Sequence, residues 1–194
     1  MARITEPEKI ENIKKAVMEA VIEHGYTGMS IASISEKARV SQGYLYRFYK
    51  SKEELVQDIV DAEMGKIVSW AKSDIDSSES VYEAAVKIIS RLFMEANREP
   101  LVAKFISAIM LDTKIPSRDK TEILNIITDL TERFIKLGKA TGEIHLEVTL
   151  IELWAVSFTI PFRYLSVYLD FDKDKKFTEA EAERIAKMCV NALQ

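Results

Sequence analysis

The side chains best equipped for chemistry lie in one short stretch. Ser33, Arg39, Ser41, Gln42, Tyr44, Tyr46, Arg47 and Lys52 all carry hydrogen-bond donors, and Gly43 sits among them. Amide, guanidinium, phenol and ammonium groups gathered on short helices are suited to reading base edges and holding phosphate oxygens. No catalytic set accompanies them. His24, His145 and the single cysteine, Cys189, stand apart in sequence, so neither a metal cluster nor a nucleophile–base pair is indicated. Asp170, Asp172, Asp174 and Glu181 have the spacing of a calcium loop, but Lys175 stands where the sharp turn wants glycine, and Lys173 and Lys176 oppose the charge. A solvated loop before a helix capped by Thr178 is the better reading. No cofactor is expected, and the chain is not read as an enzyme.

Donors of this kind need a short, rigid, capped helix to aim them. In a helix-turn-helix the first helix crosses the nucleic-acid backbone and the second presents its N-terminal side chains to base edges in the major groove. The segment SIASISEKARVSQGYLYRFY has these parts: Ser30 caps a helix through Ala38, Ser41 caps another through Tyr49, and only Arg39 and Val40 join them. Ile31, Ile34 and Ala38 should face the core, with Val40 plugging the turn. Leu45 and Phe48 should anchor the reading helix from behind, leaving Gln42, Tyr44 and Arg47 outward. Ahead of the pair, Ile10, Ile13, Val17, Ala20, Val21 and His24 recur at steps of three and four, which predicts an amphipathic helix from Thr5 to Gly25. Behind it, Ser51 to Glu54 form a capping box that opens a fourth helix running to Ala71.

Charge supports a nucleic-acid face at the front of the chain. The net charge is −4, yet residues 1–52 hold nine Lys and Arg against six Glu, a net of +3, and the remainder carries −7. With 194 residues, 47% hydrophobic, but only six Gly and four Pro, the composition favours an all-α protein. The N-terminus lacks an apolar core for export, and the longest apolar stretch, 148–169, is broken by Glu152 and Arg163. One cysteine fits a reducing compartment. A cytoplasmic protein with no membrane partner is expected.

Ile13, Ala16, Val17, Ala20, Val21, Gly25-Tyr26, Ile31, Ile34, Ala38, Val40-Ser41, Gly43, Leu45-Tyr46 and the SKEEL of Ser51 to Leu55 resemble, in order and without a gap, the N-terminal pattern of the tetracycline-repressor family. The resemblance implies a three-helix DNA-binding domain over 1–52 and a helical ligand-binding and dimerisation domain over 53–194, with about nine helices in all. It further implies a homodimer on palindromic double-stranded operator DNA and repression relieved by a small molecule. By position, Tyr46 and Lys52 match the family's phosphate-contacting pair. Three residues depart from the pattern. Arg39 replaces a turn glycine, so either the backbone there avoids positive φ or it tolerates strain, unless the guanidinium adds a phosphate contact. Tyr44 replaces a threonine, and Tyr49 a phenylalanine.

Beyond residue 55 the sequence offers only patterns. The polar run SDIDSSES, 73–80, reads as the boundary, with helices following at about 80–97, 100–112, 118–137, 147–169 and 178–193. The stretch from Val148 to Leu169 is apolar nearly all round and should be buried on more than one side. Val148 and Ile151 from it, with Ala182, Ile185, Ala186, Cys189, Ala192 and Leu193 from the last helix, are the expected dimer interface. Phe93, Phe105, Met110, Phe134, Trp154, Phe158 and Phe162 are candidate walls of an effector cavity, with Asn97, Thr159 and Arg163 as polar fixtures, suited to a small hydrophobic or aromatic effector. Pro161 should kink its helix, either opening space for a ligand or making an inert bend. A DNA-binding scaffold without an effector is the alternative from another class; a helical enzyme comes third.

Overall fold

The computed structural model describes residues 6–111, 120–145, 147–172 and 174–194, with backbone alone over 120–127. These form nine helices and no strand among the described residues: α1 (Glu6–Gly28), α2 (Ile31–Lys37), α3 (Gln42–Tyr46), α4 (Lys52–Asp76), α5 (Val81–Arg98), α6 (Pro100–Leu111), α7 (Lys120–Thr141), α8 (Leu150–Phe171) and α9 (Glu179–Asn191). The all-α expectation and the helix number hold.

Local chemistry sets most of the starts. Ser30, Ser41, Ser51 and Ser80 each accept a backbone N–H from the residue three positions on, as N-cap side chains do. Glu143, beyond the end of α7, supports the start of α5 from outside, its two oxygens accepting from the Val81 N–H at 2.7 Å and the Tyr82 N–H at 3.1 Å. Burial opposes charge on Glu143, but the Thr141 hydroxyl and these amides outweigh it and hold the carboxyl below its usual range.

Four expectations change. The Thr5 start of the first helix lies outside the described residues, and Gly25 does not end that helix: it takes φ 67°, ψ 170°, after which one more turn buries Tyr26. Ile10 and His24, placed on the inner stripe, are exposed. The run 73–80 is not a boundary, because α4 continues through Asp76. Its polar letters hide an inward face, with Ile75 in the core and Asp74 buried against Arg91 at 2.7 Å. Finally, the helix around Pro161 is not a regular α-helix. Residues Ala155–Thr159 widen into a π turn, and the backbone remains helical on both sides of it. A π turn is one of the ways a helix absorbs a residue that cannot donate.

One face of the last helix is spent inside the subunit. It packs along α5, and Ala182, Ile185, Ala186, Cys189 and Leu193 are all at most 3% exposed. They have no surface left for a second subunit, which corrects their assignment to the dimer interface. An apolar stripe reports burial without naming the partner, and here the partner is α5. Of the remaining candidates Ala192 is exposed, Val148 is half-buried, and Ile151 is 79% exposed. By length and composition α8 could cross a membrane, but its buried face packs on the chain's own helices.

The loop before α9 is a structural knot. Glu181 completes the capping box with Thr178, accepts from Lys175 Nζ at 2.6 Å and accepts from the Tyr164 hydroxyl at 2.8 Å. Burial opposes its charge, yet these partners together hold its carboxyl at about 2. Both its oxygens are thus engaged by neighbouring donors.

Candidate nucleic-acid interface and ligand cavity

The three-helix unit is assembled from its two turns outward. Ile34, Ala38 and Leu45 are buried, while Ile31 and Val40 are half-buried, which clamps α2 and α3 together. Lys37 binds Glu19 and Glu23 of α1 at 2.9 and 3.1 Å. Arg39 adopts φ 57°, so the turn keeps the left-handed conformation that glycine would favour and an exposed arginine bears the strain. Its guanidinium projects from the joint between the two helices.

On the reading helix the expected orientation is partly reversed. Phe48, assigned as an anchor, is 54% exposed, whereas Tyr44, assigned to the outer face, is half-buried. The Tyr44 hydroxyl donates to Glu6 of α1, and its ring tilts against Phe48 with centroids 5.2 Å apart. That hydroxyl, with Lys9 in support, holds the Glu6 carboxyl below the usual range. Gln42, Gly43, Tyr46 and Arg47 remain exposed on one short helix, Tyr46 by 56%. A Cβ on Gly43 would meet only Ser41 Oγ, at 4.0 Å. The protein's own packing therefore does not demand glycine there.

Ser33, Ser41 and Lys52 have structural work. Ser33 pairs with Ser30 in a capping box, Ser41 caps α3, and the Lys52 ammonium donates to the carbonyls of Tyr26 and Met29 at 3.0 and 3.3 Å. It also lies 4.5 Å from the centre of the Tyr26 ring, whose hydroxyl donates to Glu53 at 2.7 Å. An ammonium has three donors, so one remains for an external acceptor. These bonds seat the start of α4 on the end of α1.

The larger domain holds two adjoining spaces. A cleft of about 630 Å³ lies between α4, α5 and α6, with Lys66, Lys87, Arg91 and Arg98 and the carboxylates Glu63, Glu95 and Glu99 on its polar side. Behind it, under α4, lies an apolar pocket with only about 30 Å³ of empty space. Ile67, Trp70, Leu92 and Phe162 belong to both walls. Arg91 stands at this junction, its guanidinium 5.8 Å from the Trp70 ring and bonded to Asp74. The buried Ser90 Oγ in the cleft wall has no hydrogen-bond partner among the described residues.

Of the residues expected to line a cavity, Phe134, Phe158 and Phe162 come together in the inner pocket, joined by Cys189 of α9 and by Leu193 just beyond its end. Burial pushes the Cys189 thiol up to about 11. Phe93 and Phe105 are instead core residues, 1% and 0% exposed, with Phe93 stacked on Tyr164. Trp154 stacks on Phe158 at 4.2 Å, outside the walls, as is half-buried Met110. The polar fixtures are corrected too. Asn97 is consumed by the Phe177 backbone through two bonds of 2.8 Å, and Thr159 and Arg163 are exposed. Ser90, Arg91 and the α4 residues Ile67 and Trp70 were not anticipated. The i, i+3 spacing of Ile67 and Trp70 was their only trace in the sequence.

Comparison with known proteins agrees with this geometry. Residues 13–59 match the model of bacterial regulatory proteins of the tetR family. The fatty acid metabolism regulator protein of Bacillus subtilis is 24% identical over 137 residues, 70% of this chain and 71% of that protein. The fold matches the structure of the transcriptional regulator FadR from Bacillus subtilis in complex with stearoyl-CoA, with a TM-score of 0.74 and 19% identity over 95% of this chain and 100% of that one. It also matches the fatty acid degradation regulator FadR from Bacillus halodurans, with a TM-score of 0.65 and 18% identity over 99% of each chain. With its helix-turn-helix seated on a long α4 and a helical domain behind it, the chain is similar over residues 13–59 to the bacterial regulatory proteins of the tetR family.

Proposed function

We propose that this regulator is a repressor that binds a near-palindromic operator as a homodimer and is released by an elongated acyl ligand such as an acyl-CoA. The observation that carries the ligand reading is the paired space: an open cleft whose polar side carries four cations and three carboxylates, adjoining an apolar pocket that is nearly closed. An alkyl chain suits the pocket and an anionic head suits the cleft. The likeness to a regulator whose structure holds stearoyl-CoA supports the same class.

The mechanism follows from the position of α4. Its first residue, Lys52, is bonded to the end of α1, and its Ile67, Trp70, Ala71 and Ile75 form one wall of the inner pocket. A space of 30 Å³ cannot accept a chain of many methylenes without displacement of its walls. Displacing α4 moves the reading unit attached to it, and the ligand thereby favours a dimer whose reading helices no longer match the half-site spacing. Gln42, Tyr46 and Arg47 are the base- and phosphate-reading set on this account, with Arg39 and the third Lys52 donor on phosphate.

The subunit contact is assigned to the outer face of α8, where Ile151, Ala155 and Thr159 lie at four-residue steps and are exposed, together with Met188 on α9. Site of action is the cytoplasm, with operator DNA as partner. Thermal denaturation with stearoyl-CoA tests the ligand assignment. At about a hundred times Kd a ligand selective for the native state contributes about 2.7 kcal/mol, or roughly 5–11 °C in Tm for a chain of this size. No shift at saturating stearoyl-CoA would leave the large domain as a dimerising scaffold.

A further inference from the structure

The reading helix is held by very little. Leu45 is the one buried side chain of α3, and Ser41 caps its start. A further tie is remote in sequence: the Tyr44 hydroxyl donates to Glu6 Oε1 at 2.5 Å, from the third residue of α3 to the first of α1. The other Glu6 oxygen accepts from Lys9 at 3.1 Å, and the Lys9 ammonium stands 4.9 Å from the centre of the Tyr44 ring. Glu6 is exposed, and the Arg47 charge acts on both Glu6 and Tyr44. A carboxylate is thus fixed beside the side chains that would meet DNA.

We propose that Glu6 is an internal stand-in for a DNA phosphate, holding the Tyr44 hydroxyl in the free protein and competing with the duplex backbone for it, so that Glu6 limits the affinity of the reading helix for DNA. The inference rests on the reading of α3 as the DNA-reading helix.

Chemistry makes the two acceptors interchangeable. A carboxylate and a phosphate oxygen both take a charge-assisted bond from a phenol hydroxyl, so exchanging one for the other changes that bond little. Stoichiometry and charge make them exclusive. Tyr44 has a single hydroxyl proton to donate, and a carboxylate left within reach of a phosphate repels it. The Tyr44 hydroxyl, with Lys9 in support and Arg47 contributing, holds the Glu6 carboxyl below its usual range, so the carboxylate stays charged at neutral pH.

Placement separates Glu6 from other carboxylates of α1. Glu19 and Glu23, near the other end of that helix, are spent on Lys37 of α2 at 2.9 and 3.1 Å, whereas Glu6 reaches the reading helix itself. Tyr44 and Arg47 are three residues apart and so share a face of α3, with exposed Gln42 and Gly43 at its start. A Tyr44 hydroxyl released from Glu6 would join these residues as one more phosphate donor.

The test is a double-mutant cycle read by fluorescence anisotropy, with full-length parent, Glu6→Ala, Tyr44→Phe and the double variant on a duplex recovered with the parent protein by selection from random sequence. Glu6 is on the surface and Phe keeps the ring beside Phe48, and the Tm of each variant checks that the fold is kept. Glu6→Ala should bind about five- to ten-fold more tightly than the parent. In the Tyr44→Phe background the same change should gain about two-fold at most, which is what loss of an exposed, screened charge gives. An equal gain in both backgrounds overturns the proposal, because Glu6 then acts only as a charge. Unchanged or weaker binding by folded Glu6→Ala also overturns it, because the bond then supports the reading helix. If selection with the parent protein recovers no duplex, the reading of α3 as the DNA-reading helix has failed, and the role of Glu6 falls with it.

Discussion

Replacing Phe162 by Ala removes the ring that separates the cleft from the pocket behind it. Phe162 is only 4% exposed and belongs to both walls, so the ring is packed, yet it borders space that is already incompletely filled. A buried Phe→Ala change costs about 3–5 kcal/mol, and partial packing places this one near the lower end. At roughly 2–4 °C per kcal/mol for a chain of this length, Tm should fall by about 6–12 °C. The effect on ligand binding should run the other way. In the parent protein an acyl chain must displace the inner wall, whereas in the variant much of that displacement is already made. The stabilisation conferred by stearoyl-CoA, read as ΔTm at equal ligand concentration, should therefore be larger in Phe162→Ala than in the parent. An unchanged Tm without ligand would refute the packing argument. A lost ligand shift would show the ring to be a contact that the ligand needs instead of a plug it must move.

Arg39→Gly should stabilise the chain by about 1 kcal/mol or less, since relief of the left-handed φ is partly offset by the entropy that glycine gains when unfolded. If the guanidinium also holds a phosphate, the salt slope of DNA binding drops by about one unit, which a salt titration reads directly. Glu181→Gln should cost about 2 kcal/mol at neutral pH, because the native carboxyl is held at about 2 while the unfolded one titrates near 4.5. That stabilisation is present above the unfolded value and is lost as pH falls from about 4.5 towards 2, so the melting curves of parent and variant should converge in acid. Ile151→Lys should give folded monomers in sedimentation, since the residue is 79% exposed in the subunit, whereas Ile185→Lys, 2% exposed, should unfold the chain. A dimeric Ile151→Lys would move the interface away from that face of α8.

What was legible in the sequence was what depends on neighbours a few residues away. The caps at Ser30, Ser41, Ser51 and Thr178 form because a side-chain oxygen reaches an amide three residues on, and three of the four frame the helix-turn-helix and its exit. The inward residues Ile34, Ala38 and Leu45 followed from helical spacing. The errors lie where the deciding partner is remote. Tyr44 turns inward because Glu6, thirty-eight residues earlier, accepts its hydroxyl, and Phe48 is left outside. Asn97 is consumed by Phe177, eighty residues later. The stripe on α9 announced a buried face, but α5 and a second subunit would leave the same stripe. The ligand cavity was half visible for a related reason: aromatic letters on α7 and α8 gave three of its lining residues, while its polar edge comes from α4 and α5 residues that read as ordinary surface charge.

The central claim, that a ligand in the large domain releases DNA, is tested most directly by fluorescence anisotropy. A labelled duplex recovered with this protein by selection from random sequence is held near half-saturation, and stearoyl-CoA is titrated in. The account predicts release, with the apparent Kd for the duplex rising about ten-fold or more at saturating ligand, as couplings of 1–3 kcal/mol give. An unchanged affinity for the duplex, at stearoyl-CoA concentrations that raise the protein's Tm, would contradict it.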